Sequence, residues 1–139
     1  MAVNSSIHAA TWAEFVDRFN FSPRRAAILG RVIIALHHLA DAGVSRVFIG
    51  GSFVTSKKQP KDMDVLIDTF GADPARVHPM FIDLHNGRIA TLSLFGAEFF
   101  PIWLVEASVD EPFIDFFQHD KHMQPVGIVE IHLDSLPSR

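Results

Sequence analysis

Asp62 and Asp64 stand two positions apart in the run Asp62-Met63-Asp64-Val65-Leu66-Ile67. The apolar residues there read as a strand, and strand side chains alternate between faces. Both aspartates therefore point one way and Met63 the other. Two carboxylates so close repel each other, and a divalent cation between them relieves that repulsion. Hard oxygen ligands suit Mg2+ or Mn2+. Just upstream, Val47-Phe48-Ile49 reads as a second buried strand, because β-branched and aromatic residues fit a pleated sheet. It runs into Gly50-Gly51-Ser52 and a polar loop with Lys57, Lys58 and Pro60.

A hydrophobic residue, Gly-Ser, nine residues, then Asp-hydrophobic-Asp-hydrophobic resembles the signature of the DNA polymerase beta-like nucleotidyltransferases. Ile49, Gly51-Ser52 and Asp62-Met63-Asp64-Val65 carry the match. A longer likeness covers most of the chain. Thr11-Trp12-Ala13-Glu14-Phe15, Ser22-Pro23-Arg24-Arg25, Gly51-Ser52-Phe53-Val54-Thr55, Glu98-Phe99-Phe100-Pro101 and Asp115-Phe116-Phe117-Gln118 with Gly127-Ile128-Val129 are similar to a small prokaryotic branch of stand-alone minimal nucleotidyltransferases.

The resemblance implies a metal-dependent transfer of a nucleotidyl group from a nucleoside triphosphate to a hydroxyl on a protein or RNA. Gly50, Gly51, Ser52, Thr55 and Lys57 would receive the nucleotide. Asp62 and Asp64 would hold the metals, and Glu98 would serve as third ligand or as general base. Elementary chemistry agrees with the turn's role: glycine lets backbone N–H groups approach a phosphate, and Ser52 adds a hydroxyl donor. Glu98 stands where the superfamily commonly has Asp, with Glu106, Glu130 and Asp134 as lesser candidates. Val126 stands where relatives tend to have Lys, and Lys57, Lys58, Lys61 or Lys121 are possible substitutes. Enzymes of this kind often belong to toxin–antitoxin pairs, which implies a small partner protein. The alternative expectation is an inactive member of the fold that binds or regulates.

The elements that must position these residues follow from caps and periodicity. Thr11 and Glu14 form a capping box, opening a short helix to about Phe19. Ser22 as N-cap and Pro23 at the first helical position open a second, which ends at Gly43. Its apolar residues Ile28, Leu29, Val32, Ile33, Leu36 and Leu39 recur at three and four, giving one sheet-facing stripe. Arg24 and Arg25 sit at the helix start, where the dipole disfavours positive charge; solvated surface and a phosphate or partner role are the two readings. Gly30 suggests close packing or a weak point. His37 and His38 are adjacent and do not face one another, so they read as helix-end cations rather than metal ligands.

Asp73-Pro74 signals a helix start. A turn and a helix from about Pro79 follow, which could reach Leu94, with Arg88 to Phe95 ambiguous between helix and strand. Ala97 to Leu104 is the third strand, its Pro101 at an edge or end. Asp110 to Gln118 reads as a helix, His119 to His122 as a polar turn, and Gly127 to Leu133 as the last strand. His119, His122 and His132 are not spaced as a metal site. The expected fold is α/β (α+β): a small mixed sheet with helices on one face, in one domain spanning 1–139 with loose ends at 1–10 and 134–139.

The chain has 139 residues, 48% of them hydrophobic, enough for one real core. A net charge of −4 argues against general DNA binding, which needs a basic excess. The absence of cysteine excludes disulfides and thiolate metal sites and suits a reducing cytoplasm. No apolar run approaches the ~20 residues that span a bilayer, and Met1 to Ala10 lacks the pattern of a secretory leader.

Overall fold

The computed structural model describes residues 7–56, 58–83, 87–102, 105–106, 111–112 and 128–138. A short strand, β1 (Ile7–Ala10), leads into helix α1 (Trp12–Phe19). Glu14 N donates to Thr11 Oγ1 at 3.1 Å and Thr11 N donates to Glu14 Oε1 at 2.8 Å, the reciprocal cap that the sequence predicts. Helix α2 (Pro23–Asp41) starts on Ser22, whose Oγ accepts from Arg25 N at 3.2 Å. It stops before Gly43, which takes φ of 93°, a left-handed turn that glycine adopts without a steric penalty.

Strands β2 (Arg46–Gly50) and β3 (Met63–Asp68) run antiparallel, with Gly50 opposite Asp64. A parallel neighbour cannot follow through a tight turn, and helix α3 (Gly87–Phe95) fills the crossover to β4 (Ala97–Pro101). There Asp64 pairs with Glu98. Two short strands, β5 (Val105–Glu106) and β6 (Glu111–Pro112), form a separate ladder. Strand β7 (Ile128–His132) lies antiparallel to β2, and β1 lies parallel to β7. The five-stranded mixed sheet has the order β1-β7-β2-β3-β4, so Pro101 falls on an edge strand, where its missing N–H costs least.

Strand parity divides the sheet into two faces. Val47, Ile49, Met63, Val65, Ile67, Ala97, Phe99 and Ile131 join Trp12, Phe15 and Phe19 of α1, the α2 stripe and Phe95 of α3 in one buried cluster. The helices thus cover one face, as expected. The other face is layered along the strands. Gly50, Asp64 and Glu98 form one row, Phe48, Leu66 and Phe100 the next, and Arg46 and Asp68 lie beyond. The apolar row is buried and separates two charged rows.

Several expectations need correction. The first residues are not all loose: Ile7–Ala10 pairs with β7, backbone hydrogen bonding that no strong strand pattern announces. The tail is also held, because Leu133–Ser135 forms a 3-10 turn. Ser135 Oγ accepts from Trp12 N at 3.1 Å and donates to His132 O at 2.7 Å. No helix starts at Asp73. Its side chain instead accepts from Ala75 N at 3.0 Å, an Asx turn that competes with helix formation. Pro79–Phe81 is a 3-10 turn capped by His78, and the α-helix begins at Gly87, which settles the ambiguity of 88–95 as helix. Glu111–Pro112 is strand rather than helix; the rest of the helix expected at 110–118, and the turn at 119–122, lie outside the described residues. Gly30 faces open space, so close packing is not its reason.

Candidate functional site

The loop from Gly51 to Asp62 joins β2 to β3, and the N-terminus of α2 holds it in shape. Ser22 Oγ donates to Lys58 O at 2.7 Å. Arg24 donates to Pro60 O at 3.0 Å and to Lys61 O at 2.9 Å. Arg25 is 0% exposed and reaches across to Phe53 O at 2.7 Å and Thr55 O at 2.8 Å, with a further bond to Phe19 O at 3.1 Å. Its guanidinium also lies over the rings of Phe21 and Phe53, 4.1 and 4.6 Å from their centroids. Burial pushes the Arg25 pKa below its ordinary value, yet an arginine stays charged. Arg25 is therefore not solvated surface, while Arg24 is exposed, and both donate to loop carbonyls. The sequence signal was real (cations where the dipole disfavours them), but it marked a structural clamp.

At the head of the loop, Gly51 opens a 3-10 turn, Gly51–Val54, with φ of 76°. A Cβ at this position would run into Asp64 Oδ2. The glycine is needed twice, for its backbone conformation and for the space that the carboxylate fills. Ser52 lies in the same turn. Thr55 is exposed and its carbonyl accepts from Arg25. Lys57 lies outside the described residues.

Asp64 is the register partner of Glu98, and Asp62 stands two residues before Asp64. Asp64 is half-buried, and that burial, then Asp62, then Glu98, pushes its carboxyl up to about 7, against an opposing effect of Arg88. Asp64 thus feels repulsion from two neighbouring carboxylates. Glu98 is committed elsewhere: Arg88 Nε donates to Glu98 Oε2 at 2.8 Å, and Arg88 Nη2 closes the ion pair. Among the described residues, no three His, Asp or Glu side chains already form a ready metal-ligand group. The donor chemistry of Asp62 and Asp64 fits a hard divalent cation; Oε2 of the third carboxylate fits only if Arg88 lets it go. Sequence reasoning missed Arg88, because a helix residue and a strand residue ten positions apart leave no local pattern.

The lesser candidates lie apart from this group. Glu130 accepts from Arg46 at 3.1 Å and contacts His132 Nε2 at 2.7 Å, while Arg46 also binds Asp68 at 2.8 Å. These pairings raise the Arg46 pKa, the Asp68 hydrogen bond most, and account for His132 without a metal. Asp134 lies in the turn after β7, and Glu106 is in β5. Lys121, Val126, His119 and His122 fall outside the described residues. A cavity of about 560 Å³ opens elsewhere, on the helix side between β1 and α1, lined by His8, Arg18, Phe15, Phe19, Val54 and Val129 among others. None of the three carboxylates lines it.

These features define a mixed α/β domain with a glycine turn set against a carboxylate group at one end of its sheet. The chain belongs to the family described as a family of unknown function, DUF6932, whose model matches residues 1–132. No curated protein matches the chain, and no solved structure does. Among the described residues, no helix is long and apolar enough to cross a membrane.

Proposed function

We propose that the protein is a metal-dependent nucleotidyltransferase of the DNA polymerase beta-like kind. The observation that carries this reading is the row Gly50, Asp64 and Glu98, with Gly51 packed on Asp64 and Asp62 close by. A turn able to receive phosphate, set directly against carboxylate, is what such a transfer needs. In this reading, Asp62 and Asp64 hold Mg2+ or Mn2+, and Glu98 joins them or accepts the acceptor's proton. The bound cations would neutralise the triphosphate and lower the pKa of the attacking hydroxyl.

The chain's own residues do the rest. The Gly50-Gly51-Ser52 backbone orients the phosphates, with Thr55 beside them, and the resemblance adds Lys57 to the nucleotide contacts. Glu98 takes the proton as the acceptor oxygen bonds to the α-phosphorus and pyrophosphate leaves. The α2 clamp keeps the turn in place, so little order has to be gained on binding. The resemblance adds a small partner protein of the toxin–antitoxin kind, an acceptor protein or RNA, and a cytoplasmic setting.

The Arg88–Glu98 ion pair favours a second reading, a binding or regulatory module in which the third carboxylate is permanently spent. Incubation with each labelled nucleoside triphosphate, Mg2+ or Mn2+ and a cell extract separates the two. The transferase labels a protein or RNA, and the label disappears in the Asp62→Asn/Asp64→Asn double variant. Absence of label with all of the nucleotides favours the module.

A further inference from the structure

Arg88 is a cation in direct contact with the carboxylate group. It binds Glu98 through two nitrogens. Its guanidinium lies 5.1 Å from the Phe100 ring centroid, and its charge acts on Asp64 as well. The Glu98 side chain is 16% exposed while that of Arg88 is 44% exposed. The carboxylate is thus the fixed partner and the arginine the movable one, at the end of a long side chain with open water beside it. Arg88 is also on α3, whereas the carboxylates are on the sheet, so it can withdraw without disturbing a strand.

We propose that Arg88 is a latch: in the metal-free protein it stands in for a cation at Glu98 Oε2, and a divalent ion must displace it before that oxygen can ligate. The released guanidinium would then be available to phosphate oxygens, which its planar fork suits. Metal and nucleotide would reinforce each other through one side chain. The inference rests on the transferase reading. It makes Arg88 a positioning residue, acting on the metal set through Glu98.

Mn2+ titration calorimetry of the intact chain without nucleotide tests it, using Arg88→Met and the milder Arg88→Lys, each with Glu98 and with Glu98→Gln. Arg88→Met should tighten Mn2+ binding roughly five- to tenfold when Glu98 is present, and Arg88→Lys less. In the Glu98→Gln background the gain from Arg88→Met should be clearly smaller, limited to the effect of its charge on Asp64. Equal tightening in both backgrounds means that Arg88 acts only as a nearby positive charge, and overturns the latch. So does an unchanged affinity in the Glu98 background. A different failure, no Mn2+ binding by any variant and no difference on Asp64→Asn, removes the transferase reading itself. If Arg88→Met proves unfolded by circular dichroism, the Arg88→Lys pair decides by the same comparison.

Discussion

Gly51 and Asp64 share one small volume: the carboxylate of Asp64 fills the space that a Cβ on residue 51 would take. They are adjacent because Gly50 is the register partner of Asp64, which puts the first residue of the turn above the carboxylate. Turn and acid are one unit, and a change in either moves the other.

Gly51→Ala should therefore do two separable things. The left-handed φ of 76° costs a non-glycine residue about 1–2 kcal/mol. The new methyl should also push Asp64 off its rotamer, since a side-chain tip yields more readily than backbone. Urea denaturation should show the stability loss, and calorimetry a weaker Mn2+ affinity. A variant that loses stability but keeps full Mn2+ affinity refutes the coupling of turn and acid.

The raised Asp64 pKa predicts a pH dependence with a definite sign. A carboxyl that titrates at about 7 when folded and at 3.8 otherwise binds its proton more tightly in the native state. Its contribution to stability is greatest at acid pH and falls as the pH rises from about 4 to 7. The full shift corresponds to a ceiling of roughly 4 kcal/mol, and solvent at a half-buried group lowers it. In metal-free buffer, Asp64→Asn should gain stability over wild type as the pH rises through this window, with a Tm advantage on the order of 5 °C at pH 8. If the variant is instead less stable at every pH, Asp64 holds the loop by hydrogen bonds and is not a strained charge.

The clamp makes a prediction about two neighbouring arginines. Arg25→Met strands the carbonyls of Phe19 and Phe53 in a buried site and removes a part-buried bond to Thr55 O. Each unsatisfied group costs about 1–3 kcal/mol, so a loss on the order of 4 kcal/mol is expected. Arg24→Met affects bonds nearer the surface and should cost about 1 kcal/mol. Equal, small losses at both positions would mean that water replaces the guanidinium at no cost.

The sequence exposes those parts of the fold that rest on local chemistry. The Thr11 and Ser22 caps and the α2 stripe are short-range patterns, and the structure has them. What the sequence hides is tertiary. Ile7–Ala10 becomes a strand only because β7 offers it an edge. Arg25 is an ordinary helix-start arginine until the loop folds back over it. Glu98 lies in the right row because β4 runs parallel to β3 in one particular register, yet the sequence gives no sign that Arg88 holds it. The aspartates could be read and their counter-ion could not, because the counter-ion belongs to another element.

The last expectation concerns the order of ligand binding. The carboxylates around Asp64 repel a bare triphosphate, so nucleotide alone should leave the Tm unchanged. A divalent cation reverses the local charge, and nucleotide with cation should then stabilise the protein. A ligand at a hundredfold excess over its Kd adds about 2.7 kcal/mol, or a Tm rise on the order of 10 °C for a domain of this size. Thermal melts with each triphosphate, with and without Mg2+ or Mn2+, measure this directly. The rise should need both components together and vanish in the Asp62→Asn/Asp64→Asn double variant, which lacks both proposed ligands, with circular dichroism confirming that the variant is folded. A triphosphate that stabilises equally without metal, or in the double variant, binds somewhere other than the Gly51–Asp64 unit, and the cavity beside β1, with His8 and Arg18 in its lining, is then the first place to look.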